Sequence, residues 1–192
     1  MSIIMGCSTS TSSTKALVDY VDPNIGTAHC RWFFYTPAAI PFGMAKLAPS
    51  TDAHLGNPGG WQAVGYDFRH TSIEGFANFH EFQVGGVVFA PTVGELQTVP
   101  GELENPDGGY RSRFDKKDEV AAPGYYSVLL KDYGVKAELT AMKRVGFHRY
   151  TYPEGKPASI LIDLREGNGS NAYDSYIRKV DDYTVEGYRY VR

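Results

Sequence analysis

Apolar and polar positions along this chain alternate rather than recur at helical spacing. Val135, Ala137 and Leu139 alternate with Lys136, Glu138 and Thr140, a two-residue period that puts one apolar face on an extended strand. Tyr126, Val128 and Leu130 form a second such row. Ile160, Ile162 and Leu164 form a third against Ser159, Leu161 and Asp163, and Val145 with Phe147 a weaker one. Gly86 to Ala90 is a short apolar run, and Tyr183-Thr184-Val185-Glu186 opens a last strand toward the terminus. Asp132-Tyr133-Gly134 and Pro153-Glu154-Gly155-Lys156-Pro157 supply turn chemistry between these runs. No segment sustains an i, i+3, i+4, i+7 apolar pattern. Short strands with one apolar face each must pair into two packed sheets or a closed barrel. The expectation is an all-β fold, an antiparallel β-sandwich.

The chain divides at its start. Residues 1–17 carry Ser8-Thr9-Ser10-Thr11-Ser12-Ser13-Thr14, a polar tract too poor in apolar groups to order itself, and read as a tether. Residues 18–192 form the domain. Between Val18 and Gly60 the breakers Pro23, Pro37, Pro41, Gly43, Pro49, Pro58, Gly59 and Gly60 exclude helix and call for short extended pieces joined by loops. Tyr183 through Arg192 resembles the middle of a sheet, and an open strand edge is a liability that folds normally cover. The sandwich is therefore expected to be incomplete within this chain, supersandwich-like in outline.

Composition narrows the partners. Of 192 residues 42% are hydrophobic, enough for a core, and the net charge of −3 with scattered Lys and Arg argues against nucleic acid, which needs a clustered basic face. The densest basic group, Lys143-Arg144 with Arg149, is placed within a strand. Fourteen tyrosines supply flat apolar faces with a hydroxyl, suited both to strands and to sugars. Cys7 and Cys30 make neither a disulfide framework nor a zinc pattern. Cys7 follows Ile4-Met5-Gly6 and precedes the Ser/Thr tract, an order that resembles a bacterial lipoprotein lipidation site. A displaced start with an incidental cysteine reads equally well, because six residues cannot hold a charged start and an apolar run. No stretch reaches the roughly 20 apolar residues of a membrane-spanning helix, so membrane contact is expected only through a lipid anchor.

Common catalytic signatures are missing. His80-Glu81 opens like a zinc-protease motif, but Val84 stands where its second histidine belongs. No nucleophile elbow, phosphate loop, dinucleotide fingerprint or calcium loop is present.

A series of blocks in fixed order carries more. Tyr20-Val21-Asp22-Pro23-Asn24-Ile25-Gly26-Thr27 comes first, then Pro37-Ala38-Ala39-Ile40-Pro41-Phe42-Gly43-Met44 and Leu47-Ala48-Pro49-Ser50-Thr51. Gly65-Tyr66, Ile73-Glu74-Gly75-Phe76 with His80, Pro123-Gly124-Tyr125-Tyr126-Ser127-Val128 and Glu138-Leu139-Thr140-Ala141 follow. Arg144-Val145-Gly146 and His148-Arg149-Tyr150 end the series. From Val18 to Arg192 the chain resembles the amino-terminal domain of glycoside hydrolase family 92, bacterial exo-acting α-mannosidases. The resemblance implies a sandwich that precedes a helical barrel in the same polypeptide, with the mannose-containing glycan bound between them. It implies inverting hydrolysis that needs calcium, with acid, base and metal ligands all in the barrel. Neither catalytic residues nor metal ligands are then expected here, and the fragment alone should be inactive. Asp19 with Asp22, and Glu102 with Glu104, read as solvated loop acids rather than a catalytic pair. The family's Ser-His-Thr-His stretch is replaced by Ala77-Asn78-Phe79-His80, so Asn78 stands for its first histidine.

Four residues are candidates for touching sugar. Trp61 follows Gly59-Gly60 in a loop, where an indole could stack on a pyranose; a packing role suits it as well. Asp52 lies before that loop and could accept from hydroxyls or cap a turn. His80 and Glu81 could reach the cleft from a strand end, although a buried, hydrogen-bonded His80 is the plainer reading. Two functions from different classes remain: the sandwich half of an α-mannosidase trimming glycans, and a non-catalytic carbohydrate-binding sandwich. A lipoprotein start would place the protein in the periplasm or on the outer membrane.

Overall fold

The computed structural model describes residues 15–28, 38–52, 65–78, 86–164, 166–167 and 170–191. Among them every regular element longer than four residues is a strand, and all strand pairs are antiparallel. One sheet is built from β1 (Ala48–Ser50), β3 (Gly75–Ala77), β4 (Val88–Val93) and β10 (Ala158–Asp163), in that order. A second is β6 (Val120–Ala122), β7 (Tyr125–Leu130), β8 (Val135–Ala141) and β9 (Gly146–Thr151). The short pair β2 (Ser72–Ile73) and β5 (Ser112–Arg113) forms a ladder of its own, and Arg113 O accepts from Lys131 N just beyond β7. The last sheet is β11 (Glu166–Gly167), β12 (Ser170–Lys179) and β13 (Val185–Val191).

The two four-stranded sheets face each other as a sandwich, and the alternation in the sequence explains why. Tyr126, Val128 and Leu130 of β7 lie across from Leu139, Ala137 and Val135 of β8, all at most 3% exposed. This row packs on Leu47, Ile73 and Phe76 in one cluster, with the Phe76 ring 6.5 Å from Tyr126 and 6.0 Å from Tyr150. Area removed from water at about 25 cal/mol per Å² makes this apolar layer the main driving force. The tight β7–β8 turn closes at Gly134, whose φ of 66° suits glycine and whose N–H donates to Leu130 O at 2.8 Å.

The strand readings from the sequence over 126–130, 135–140, 145–147 and 159–164 are borne out within a few residues, and three details change. On β10 the faces do not sort as the alternation implies: Ile160 is 51% exposed whereas Asp163 is buried, because the Tyr110 hydroxyl donates to Asp163 Oδ2 at 2.8 Å. Lys143-Arg144 lies in the β8–β9 turn rather than inside a strand, and Lys143 O accepts from Met44 N. The last strand begins at Val185, with Tyr183 exposed in the turn before it.

The longest strand, β12, was not anticipated. Its segment is largely polar, and its register to β13 pairs Tyr176 with Tyr188, their rings stacked at 5.9 Å. Tyr173, Tyr176, Ile177, Val185, Tyr188 and Tyr190 are all more than 40% exposed. Along its other edge β13 has no partner among the described residues.

Candidate functional site

Polar side chains gather at the two ends of β3. At its start, the chain leaving β1 meets Gly65, whose carbonyl accepts from Thr51 N (2.6 Å) and Asp52 N (3.1 Å). Gly65 has a φ of 76°, a conformation that strains residues with a side chain. Thr51 Oγ1 then accepts from Asp67 N at 3.0 Å and meets His70 Nδ1 at 2.9 Å. Burial works against ionising Asp67, but hydrogen bonds from Arg69 Nε (2.9 Å) and Nη2 (2.6 Å) outweigh it and hold the carboxyl at about 2. Burial pushes His70 down, favouring the neutral imidazole.

Beneath this knot lies a fully buried cation. Arg111 Nη1 donates to Thr51 O (3.2 Å) and Ser72 Oγ (2.9 Å), and Nη2 to Glu74 Oε1 (2.5 Å). Its Nε and the nearby strand's Ser50 Oγ are buried without a hydrogen-bond partner among the described residues. Taking both charges out of water is tolerable only because they neutralise each other. Glu74 is committed to this ion pair.

Other buried acids are committed as well. Glu119 accepts from Tyr66 OH (2.9 Å), Tyr126 OH (2.8 Å) and Lys116 Nζ (2.7 Å). Burial, then the Glu119 charge, push both phenols well above their usual range, so they stay donors. Lys116 also sits over the rings of Phe68 (4.4 Å) and Phe114 (4.6 Å). Glu138 accepts from Arg149 Nε (2.8 Å) and Tyr125 OH (2.8 Å), which hold it at about 2.

At the other end of β3, Asn78 Oδ1 lies 2.5 Å from His148 Nε2, and His148 Nδ1 lies 2.8 Å from Tyr150 OH. Burial lowers His148 to about 4. Asn78 borders two clefts of ≈ 480 Å³ each. One is lined with Met44, Ala45, Arg144 and Gly146. The other is mostly apolar, between Phe89 and Ile162 on one side and Tyr176 and Tyr188 of the β12–β13 ribbon on the other.

Of the residues singled out from the sequence, Asp52 is buried at 8% exposed and anchored through its backbone to Gly65. Trp61, His80, Glu81 and Cys7 lie outside the described residues. Asp52 lies two residues beyond Ser50, which pairs with the first position of β3, while Asn78 follows its last, so roughly 10 Å of strand or more separates them. Asp19 and Asp22 cap local turns through Ala16 N and Asn24 N, the role expected of loop acids. Arg111 is marked by no local motif, because Glu74 and Ser72 lie 37 and 39 residues away; His148 belongs to the last of the sequence blocks, but its contact with Asn78, 70 residues away, is made only by folding.

Relatives give this arrangement its context. The sequence profile of the glycosyl hydrolase family 92 N-terminal domain matches residues 20–192. A family GH92 α-mannosidase from Bacteroides thetaiotaomicron, solved with mannoimidazole, is 39% identical with a TM-score of 0.83 over 92% of this chain. A GH92 inverting mannosidase from the same organism shares the fold at 24% identity and a TM-score of 0.68, again over 92% of the chain. A protein described as an uncharacterized secreted glycosidase from Arthroderma benhamiae is 29% identical over 77% of the chain. The chain spans 23% of the length of each of these two structures and 20% of the secreted relative. Profile, fold and block order agree, and the chain belongs to glycosyl hydrolase family 92, in its N-terminal β-sandwich domain.

Proposed function

We propose that residues 18–192 form the amino-terminal sandwich of a calcium-dependent, inverting exo-α-mannosidase, walling one side of the cleft in which mannose is trimmed from a glycan. The observation that carries this reading is the 39% identity to a solved GH92 α-mannosidase, sustained over 92% of the chain. Inverting hydrolysis needs two carboxyl groups about 6.5–9.5 Å apart with a water between them. The buried acids described here are bound to Arg, Lys or Tyr partners instead: Glu74 to Arg111, Asp67 to Arg69, Glu119 to Lys116, Asp163 to Tyr110. A calcium ion takes six to eight oxygen ligands, and no group of three or more acidic, His or Cys side chains converges among the described residues. These donors do not fit a calcium shell. Acid, base and metal ligands are assigned to a helical barrel in the same polypeptide, and this chain alone to an inactive partner that binds glycan. The secreted relative supports export, with Cys7 as the lipid attachment point in the periplasm or at the outer membrane.

The test is hydrolysis of an aryl α-mannoside. The longer polypeptide turns it over and loses that activity to a calcium chelator, while residues 18–192 alone do not. Turnover by residues 18–192 overturns the placement of the catalytic groups. Trp61→Ala in the longer polypeptide lowers kcat/KM, and an unchanged value removes Trp61 from the sugar site.

A further inference from the structure

Asn78 comes directly after β3, and its side chain is gripped from two directions. His148 holds its carbonyl oxygen, with Nε2 at 2.5 Å from Oδ1. Gly146, the first residue of β9 in the other sheet, leaves the room it needs: a Cβ at position 146 would stand 2.7 Å from Asn78 Oδ1 and 2.5 Å from Leu47 Cδ1. Behind His148, Tyr150 OH lies 2.8 Å from Nδ1. With the imidazole neutral, one proton arrangement satisfies all three groups. Tyr150 O–H donates to Nδ1, neutral His148 donates Nε2–H, and Asn78 Oδ1 accepts. Burial supports it on both counts, keeping the imidazole neutral down to about 4 and the phenol protonated.

With Oδ1 spent on His148, Asn78 has only its two Nδ2 hydrogens to offer, and Nδ2 has no partner among the described residues. The cleft beside it is bordered by Met44, Ala45, Arg144 and Gly146, with no carboxylate among the described residues of its lining. Both polar side chains on this wall are therefore donors. Two residues before Met44, Phe42 is fully exposed at a φ of 59°, a conformation uncommon for a residue with a side chain. An acceptor-rich ligand with an apolar face, such as a pyranoside, matches this combination of donors and exposed aromatic ring.

We propose that Asn78 is a hydrogen-bond donor to a saccharide oxygen in this cleft, with His148 as the residue that positions it. The proposal rests on the glycan-facing reading above for the class of ligand, and on the Tyr150–His148–Asn78 chain for the residue.

The experiment is a titration of methyl α-D-mannoside into the ¹⁵N-labelled chain, following the Asn78 side-chain amide. That amide shifts saturably. Asn78→Asp, which loses the donors, weakens the fitted Kd by roughly 3- to 10-fold, the worth of one hydrogen bond. His148→Gln weakens it in the same direction while the backbone spectrum stays folded. If either variant does not fold, the wild-type titration still decides, because it reads the Asn78 amide directly. Shifts elsewhere with an unmoved Asn78 amide overturn the proposal and leave the glycan reading standing. A chain in which no resonance moves also overturns it, and hydrolysis by the longer polypeptide then judges the family reading separately.

Discussion

Arg111 Nη2 lies 2.5 Å from Glu74 Oε1, and each side chain is only 1% exposed. The pair ties the loop before β5 to the link between β2 and β3, and through Thr51 O it reaches the end of β1.

Removing one partner strands the other charge in the core. Arg111→Met or Glu74→Leu alone is expected to cost about 3–5 kcal/mol, and the double variant much less than the sum. Denaturant unfolding of the four species in a double-mutant cycle measures this. Additive losses would show that the pair does not act as a unit.

Gly146→Ala crowds Leu47 and Asn78 at once. Leu47 is fully buried and has little room to yield, so a loss of about 1–3 kcal/mol is expected in the same unfolding assay.

His148 gives the fold an acid sensitivity of defined sign. Its neutral ring packs among Asn78, Phe89 and Tyr150, and burial lowers it from its ordinary 6.5 to about 4. Between those values the unfolded chain binds the proton and the folded chain does not. Stability is therefore complete above about pH 6.5 and declines as pH falls toward 4. His148→Gln should flatten that part of a stability-against-pH curve, and an unchanged slope would assign it to another group.

The sequence made half of each site visible, for physical reasons. The β7–β8 layer was legible because Tyr126, Val128 and Leu130 alternate with outward residues over a hairpin, a pattern that is local by construction. β12 was not, because both its faces are polar or Tyr-bearing and no alternation singles out a buried side. Asn78 stood out as a departure from the family pattern, but the partner that orients it, His148, lies 70 residues on and is joined to it only by folding. Arg111 likewise looks like any surface arginine until Glu74 and Ser72 enclose it.

Glu138 responds to acid with the same sign, in a lower window. Hydrogen bonds from Arg149, then Tyr125, lower its carboxyl to about 2, so its contribution is present above about pH 4.5 and is lost as pH falls toward 2. A carboxyl-detected NMR titration should find Glu138 near 2 in the wild type. In Arg149→Leu it should move up toward the ordinary glutamate range, and a fixed midpoint would remove Arg149 as its cause.

Among the described residues, the β12–β13 ribbon shares no strand-to-strand hydrogen bonds with either sheet of the sandwich. Isolated hairpins are marginal in water, so this ribbon can open as a separate cooperative unit while β7 and β8 stay closed. Its amides should swap deuterium orders of magnitude sooner than those of Val128 or Leu139, giving the domain two distinct protection classes along one chain.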